Sequence, residues 1–121
     1  MKKQYRVKKN LEFKRILSVG KKAVSRCFAV YYAPAVFDHD RVGISVGKKI
    51  GNAVERNKAK RQLRMMWREI SAFDSGYDFI VIARPSYSHT DYGTAKKELS
   101  VIYNSVYNNK RQTSLEGDCK Q

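Results

Sequence analysis

The sequence predicts a single α+β domain, on three observations. A 3.6-residue apolar period recurs in three separate stretches, β-branched and aromatic runs lie between them, and the order reads helix, two or three strands, helix, strand, helix. The chain has 121 residues, within the roughly 100–200 residues of one domain. Residues 1–109 are therefore read as one unit and 110–121 as a polar, flexible C-terminal tail. One strand follows the central helix, so the sheet needs a crossover through that helix. The expected architecture is a two-layer αβββαβα sandwich.

Asn10 is placed as the cap of a first helix over residues 11–19, in which Phe13, Ile16 and Leu17 recur at i, i+3 and i+4 and Gly20 supplies a left-handed stop. The run Arg26 to Tyr32 is β-branched and aromatic, and Lys22 to Val24 is a short extended piece that either precedes it as a separate strand or merges into it. After Pro34 and the turn Asp38-His39-Asp40, Arg41 to Val46 reads as the hairpin partner of that run, with Gly43 marking a close backbone approach. Asn52 caps the longest helical signal, which runs to about Ala72. Asp78 to Ala83 is almost continuously apolar, as a central strand covered on both faces would be. Thr90 or Asp91 caps a last helix whose Tyr92, Ala95, Leu99, Ile102, Tyr103 and Val106 form one stripe, and a polar tail follows from Asn108.

Charge narrows the function. Against 25 Lys and Arg stand 11 Asp and Glu, a formal charge of +14, more than solubility requires of so short a chain. A polyanionic partner accounts for it. Hydrophobic residues at 42% and aromatics at 12% still provide a core, so the chain is not a disordered basic tail. Cys27 and Cys119 lack the spacing of a zinc site or a disulfide framework and are read as free thiols. The basic start Met1 to Arg6 is not followed by an apolar stretch, and no run is long enough to cross a membrane. A cytoplasmic protein with no membrane partner is expected.

The central helix carries the most informative pattern. At about 100° per residue, Ala59, Leu63, Met66, Trp67 and Ile70 fall on one stripe, and Lys60, Arg64, Asn57, Arg68 and Arg61 follow in order beside it over an arc of roughly 100°. Glu55, Gln62 and Glu69 lie on the far side, so charge is sorted by sign. A charge run is ordinarily a solvated face laced with i,i+4 pairs. The ladder Lys60, Arg64, Arg68 is instead like-charged at i,i+4, which costs a few tenths of a kcal/mol per pair unless an anion such as phosphate neutralises it. With Lys48 and Lys49 at the helix entrance, nucleic-acid binding follows. Eight Tyr, five Phe and one Trp, without a groove-reading motif, favour RNA over DNA.

The segment Lys48-Lys49-Ile50-Gly51-Asn52-Ala53-Val54-Glu55-Arg56-Asn57-Lys58-Ala59-Lys60-Arg61-Gln62-Leu63-Arg64 resembles the signature of the bacterial ribonuclease P protein component. That family's hallmark is a glycine and Ala-Val leading into Arg-Asn-x-x-Lys-Arg-x-x-Arg, and every position is filled without a gap. Length, element order and basicity agree, so the resemblance spans about residues 5–109. It implies a protein subunit that joins a catalytic RNA and helps remove the 5′ leader of precursor tRNA. The RNA and its Mg²⁺ ions perform the hydrolysis; the protein supplies no catalytic residue, metal ligand or organic cofactor.

By position, the resemblance implies that Arg56, Asn57, Lys60, Arg61 and Arg64 meet the catalytic RNA. Lys48, Lys49 and Asn52 stand at the entrance to that helix and Arg68 extends the face. A cleft between the first helix and the sheet, carried over to Phe13, Leu17 and Tyr31, would hold the single-stranded leader; the family often has an aromatic where Leu17 stands. The implied fold is ribosomal protein S5 domain 2-like, with a left-handed β-α-β crossover against the right-handed default. The protein alone would be a monomer, with one or two copies per holoenzyme.

His39 and His89 sit in predicted loops with no nucleophile beside them. Asp38 and Asp40 flank His39, but a turn uses Asp for its own backbone hydrogen bonds. A free-standing nuclease would need a carboxylate cluster or a His pair. A ribosomal-protein-like RNA binder would share the basic helix, and differs in being indifferent to a 5′ extension on tRNA.

Overall fold

The computed structural model describes residues 6–7, 10–37, 39–71 and 73–116, with side-chain surroundings for 6–7, 11–37, 39–71 and 73–108. The elements are α1 (Asn10–Val19), β1 (Lys21–Val24), β2 (Phe28–Pro34), β3 (Arg41–Val46), α2 (Ala53–Ile70), β4 (Tyr77–Ala83) and α3 (Tyr92–Glu116), with single 3₁₀ turns at Lys48–Ile50 and Pro85–His89. The predicted order is therefore present, and Lys21–Val24 is a strand of its own. Asn10 is the first residue of α1, one place later than a cap.

The four strands lie in the order β1-β2-β4-β3. β1 and β2 form the hairpin, with Lys22 opposite Tyr31. The expected hairpin between β2 and β3 does not form: β4 inserts between them, antiparallel to β2 and parallel to β3. The reason lies in β4 itself. Phe79, Val81 and Ala83 pack into one apolar cluster and Ile80 into another on the opposite face. Only a central position buries both. β3 takes the edge, and the chain near Val7 covers it through the bond from Val7 N–H to the Val42 carbonyl.

The same two clusters correct the layer count. The larger joins the sheet to α2 and α3 through Leu63, Met66, Trp67, Leu99 and Tyr103. The smaller joins Ile16 of α1 to Val7, Ala33 and Ile80, with Phe13, Tyr31 and Ile82 packed against it. Helices thus cover both faces of the sheet, three layers instead of two. Strands apolar on alternate residues of both faces would leave Ala33 and Ile80 in water under a two-layer arrangement.

Gly20 is not left-handed; among the described residues the positive-φ glycines are Gly51 and Gly76. Its small size serves packing instead, since a Cβ there would run into the Ile16 carbonyl oxygen and stand 2.7 Å from that of Tyr32. Gly43 is the close approach expected, for a Cβ would lie 2.6 Å from the Phe13 ring. Asp91, not Thr90, caps α3: its carboxylate accepts from the Thr94 N–H at 3.0 Å and the Thr94 hydroxyl at 2.8 Å. α3 continues to Glu116, beyond Asn108 where a polar tail was expected. No glycine or proline intervenes before Gly117 to stop it. Cys119 and Ala72 lie outside the described residues.

Buried polar groups tie α1 and the loops to the sheet. Asp78 on β4 accepts from Arg41 at 3.0 Å and from Arg15 of α1 at 2.8 Å, while Arg41 also reaches Glu12 of α1 at 2.9 Å. Asp40 accepts from the Ser75 and Gly76 N–H groups and the Ser75 hydroxyl, so this acidic turn residue holds the entry to β4. Asp38 lies outside the described residues.

Trp67 is fully buried, its ring 4.7 Å from that of Phe79 and 5.3 Å from that of Tyr103. Trp67→Ala should cost about 3–5 kcal/mol of stability, read as a shifted midpoint in equilibrium denaturant unfolding.

Candidate nucleic-acid interface

α2 begins with a capping box. The Asn52 side chain accepts from the Glu55 N–H at 2.9 Å, and the Glu55 carboxylate accepts from the Asn52 N–H at 3.0 Å. Asn52, placed at the interface by sequence, thus has a structural duty at an exposed position. Beyond it, Ala59, Leu63, Met66 and Trp67 are buried and Ile70 is half-buried, as the apolar stripe predicts.

That packing fixes the rotation of the helix, and rotation decides where the cations point. Asn57, Arg61 and Arg68 are exposed, Lys60, Arg64 and Arg56 are half-buried, and Lys48 and Lys49 are exposed on the turn before the helix. Among the described residues, no carboxylate pairs with Lys48, Lys49, Arg56, Lys60, Arg61 or Arg64. Arg56 also buries its Nε without a hydrogen-bond partner. Arg68 acts at longer range, helping to lower the pKa of its neighbour Glu69.

The opposite flank of α2 is used inside the protein. Glu69 pairs with Lys96 of α3 at 2.8 Å, and the hydrogen bond from that ammonium holds the Glu69 carboxyl below its ordinary range and raises Lys96 in turn. Gln62 accepts from the Tyr87 hydroxyl at 2.7 Å. Burial pushes the Tyr87 phenol up to about 12. The sorting of charge by sign therefore has two causes: one flank meets α3, and the other faces away.

On the other side of the sheet, α1 brings the second group together. The Phe13 ring rests on Gly43, and Tyr31 packs at the border of the same cluster. Leu17 is 41% exposed, so it is available as surface. Lys22, which sequence reading did not place here, sits with its ammonium 5.6 Å from the Tyr31 ring centre, within cation–π range. Its signal was the register of the β1–β2 hairpin, which sets Lys22 opposite Tyr31.

Comparison with known proteins decides the family. The sequence profile of the family described as Ribonuclease P matches residues 1–107. The chain belongs to the ribonuclease P protein family. It is 46% identical over 99 residues to the ribonuclease P protein component of Streptococcus mutans, covering 82% of this chain and 83% of that one. Among solved structures it is similar to a Staphylococcus aureus RNase P protein mutant with defective mRNA degradation activity, at 38% identity and a TM-score of 0.77 over 84% of this chain and 87% of that one. It is also similar to the RNase P protein from Thermotoga maritima, at 29% identity and a TM-score of 0.71 over 85% and 96% of the two chains. As a ribonuclease P protein component it is a subunit of an endoribonuclease of tRNA processing. No helix among the described residues is long and apolar enough to cross a membrane.

Arg61→Ala and Arg64→Ala should each weaken RNA binding and lower the slope of log affinity against log salt by about one phosphate contact. Glu69→Ala, on the internal flank, should leave that slope unchanged. Equal slopes for all three variants in filter-binding titrations across salt concentrations would contradict the assignment of flanks.

Proposed function

We propose that the cationic flank of α2 binds the catalytic RNA of ribonuclease P while the α1 side of the sheet receives the 5′ leader of precursor tRNA. The observation that carries this reading is the row Lys60, Arg61 and Arg64, turned from the core and left without carboxylate partners among the described residues. In isolation such a row is unfavourable; against a phosphate backbone each cation releases condensed counterions and gains affinity. Arg56, Asn57, Lys48, Lys49 and Asn52 extend it along the first turns and the entrance, and Arg68 extends it into the last turn.

For the leader, a single strand needs stacking surface and charge, not a groove. Tyr31 supplies a ring, Lys22 a cation beside it, and Leu17 and Phe13 the apolar wall. The protein positions substrate, and the phosphodiester is hydrolysed by the RNA with Mg²⁺. The donor set on α2 suits that division: Mg²⁺ takes carboxylates and phosphate oxygens, and this flank offers ammonium and guanidinium groups. The ion belongs on RNA phosphates, with no catalytic residue from the protein. In this reading the protein works in the cytoplasm as a monomer that joins the RNA in one or two copies, and the β3-α2-β4 connection keeps the left-handed crossover of its family.

Reconstitution with the catalytic RNA and end-labelled precursor tRNA tests the reading. Leader release at low Mg²⁺ should need both protein and RNA, the protein alone should cleave neither precursor tRNA nor other RNA, and mature tRNA should bind the holoenzyme more weakly than its precursor. Cleavage by the RNA-free protein, or equal binding of mature and precursor tRNA, would overturn it. Leu17→Phe should add a stacking surface and tighten precursor binding, by up to about 1–3 kcal/mol, seen as a lower Kd for precursor with that for mature tRNA unchanged.

A further inference from the structure

The internal flank of α2 is not fully covered. Between its first turns, the Pro85–His89 turn and the start of α3 lies a cavity of about 230 Å³ lined by Glu55, Lys58, Gln62, Tyr87, Ser88 and Tyr92. It is smaller than the roughly 300–1,000 Å³ of pockets for drug-sized ligands, the scale of one ring system. Its walls are unlike those of a packing defect. Gln62 spends its carbonyl oxygen on the Tyr87 hydroxyl, which leaves the two N–H donors of its amide without a partner among the described residues. Ser88 donates to the Pro85 carbonyl and keeps acceptor capacity. Lys58 carries an ammonium that no carboxylate pairs among the described residues. Ile50 lines the cavity as well, at the end of the turn that exposes Lys48 and Lys49.

We infer that this cavity takes a single unstacked nucleobase of the RNA, read on its hydrogen-bonding edge by Gln62 and Ser88 and flanked by the Tyr87 and Tyr92 rings, with its phosphates held by Lys58, Lys48 and Lys49. The inference rests on the reading that α2 meets RNA and extends it from phosphate contact to base contact. Donors and acceptors in the lining of one small aromatic-walled recess match a splayed base better than a duplex, whose edges are already paired. Cations alone would position the RNA without selecting any base.

Two variants separate base capture from fold. Ser88→Trp plugs the recess from an exposed position, and Gln62→Leu removes the donors at similar volume. The holoenzyme assembled from the full chain and the catalytic RNA is probed with dimethyl sulfate and a carbodiimide, which together read the unpaired edges of all four bases, beside thermal melting of each protein. At least one unpaired base protected by the unaltered protein should become reactive with both variants, with an unchanged salt slope and RNA affinity lower by about tenfold. Melting should be unchanged for Ser88→Trp and lowered for Gln62→Leu, which strips the buried Tyr87 hydroxyl of its acceptor. Identical base protections for the unaltered protein and both variants, with RNA still bound, would overturn the inference alone. Failure of the unaltered protein to retain the RNA would overturn the reading of α2 and this inference with it.

Discussion

The burial of one side of α2 against the sheet and α3 is the constraint on which the rest depends. Leu63, Met66 and Trp67 are fully buried there, and each such side chain contributes about 1.5–3 kcal/mol relative to exposure. The like-charged ladder along the neighbouring flank costs a few tenths of a kcal/mol per pair. Packing therefore wins by a wide margin, and a helix that would repel itself in isolation is held in place. Because side chains are set at fixed angles around the axis, burying the stripe commits Lys60, Arg61 and Arg64 to a fixed bearing. A binding face held by the core loses less entropy on meeting its partner than one that must first be ordered.

The second constraint is electrostatic and lies on the opposite face of the sheet. Asp78 is fully buried on the central strand, and its charge is answered by Arg41 on β3 and Arg15 on α1, with Glu12 closing the set. Removing one member of a buried set leaves an uncompensated charge, which is more costly than the set is stabilising. The cluster thus acts through specificity of placement: α1 has one seat on which both its arginine and its glutamate are answered. That seat also puts Phe13 over Gly43 and leaves the strip of sheet around Tyr31 and Lys22 beside α1. The two surfaces assigned to RNA are kept apart by the sheet, one on each face.

Local patterns were legible in the sequence and long-range pairings were not. The cap at Asn52, the core stripe of α2 and the burial of β4 on both faces each follow from residues within a few positions of one another. The partner of β2 does not, since β4 lies more than forty residues downstream and nothing in the intervening chain marks an insertion. A turn containing Asp38 and Asp40 looks like a hairpin turn whether or not its strands pair, and the duty of Asp40 toward Ser75 and Gly76 appears only in three dimensions. Placing α1 on the far side of the sheet would have required seeing that Ala33 and Ile80 need a cover of their own. At Gly20 the residue type was informative and the reason was different, close contact with β2 in place of a left-handed turn.

The candidate interface shows the same division. Its cations were visible because helix periodicity alone sorts them. Gln62 and Tyr87 were not, being 25 positions apart and joined by a hydrogen bond between different elements. Yet both belong to one logic, since α2 has three flanks and only one can be buried in the core. The flank toward α3 needs polar groups that satisfy one another, as Glu69 does with Lys96 and Tyr92. The flank away from it carries charge at Lys60, Arg61 and Arg64 that no carboxylate among the described residues pairs. Where the first of these has no further partner among the described residues, beside Gln62 and Lys58, the helix passes from holding the fold together to presenting hydrogen-bonding groups outward. There a contact with bases, and not only with backbone, becomes chemically possible.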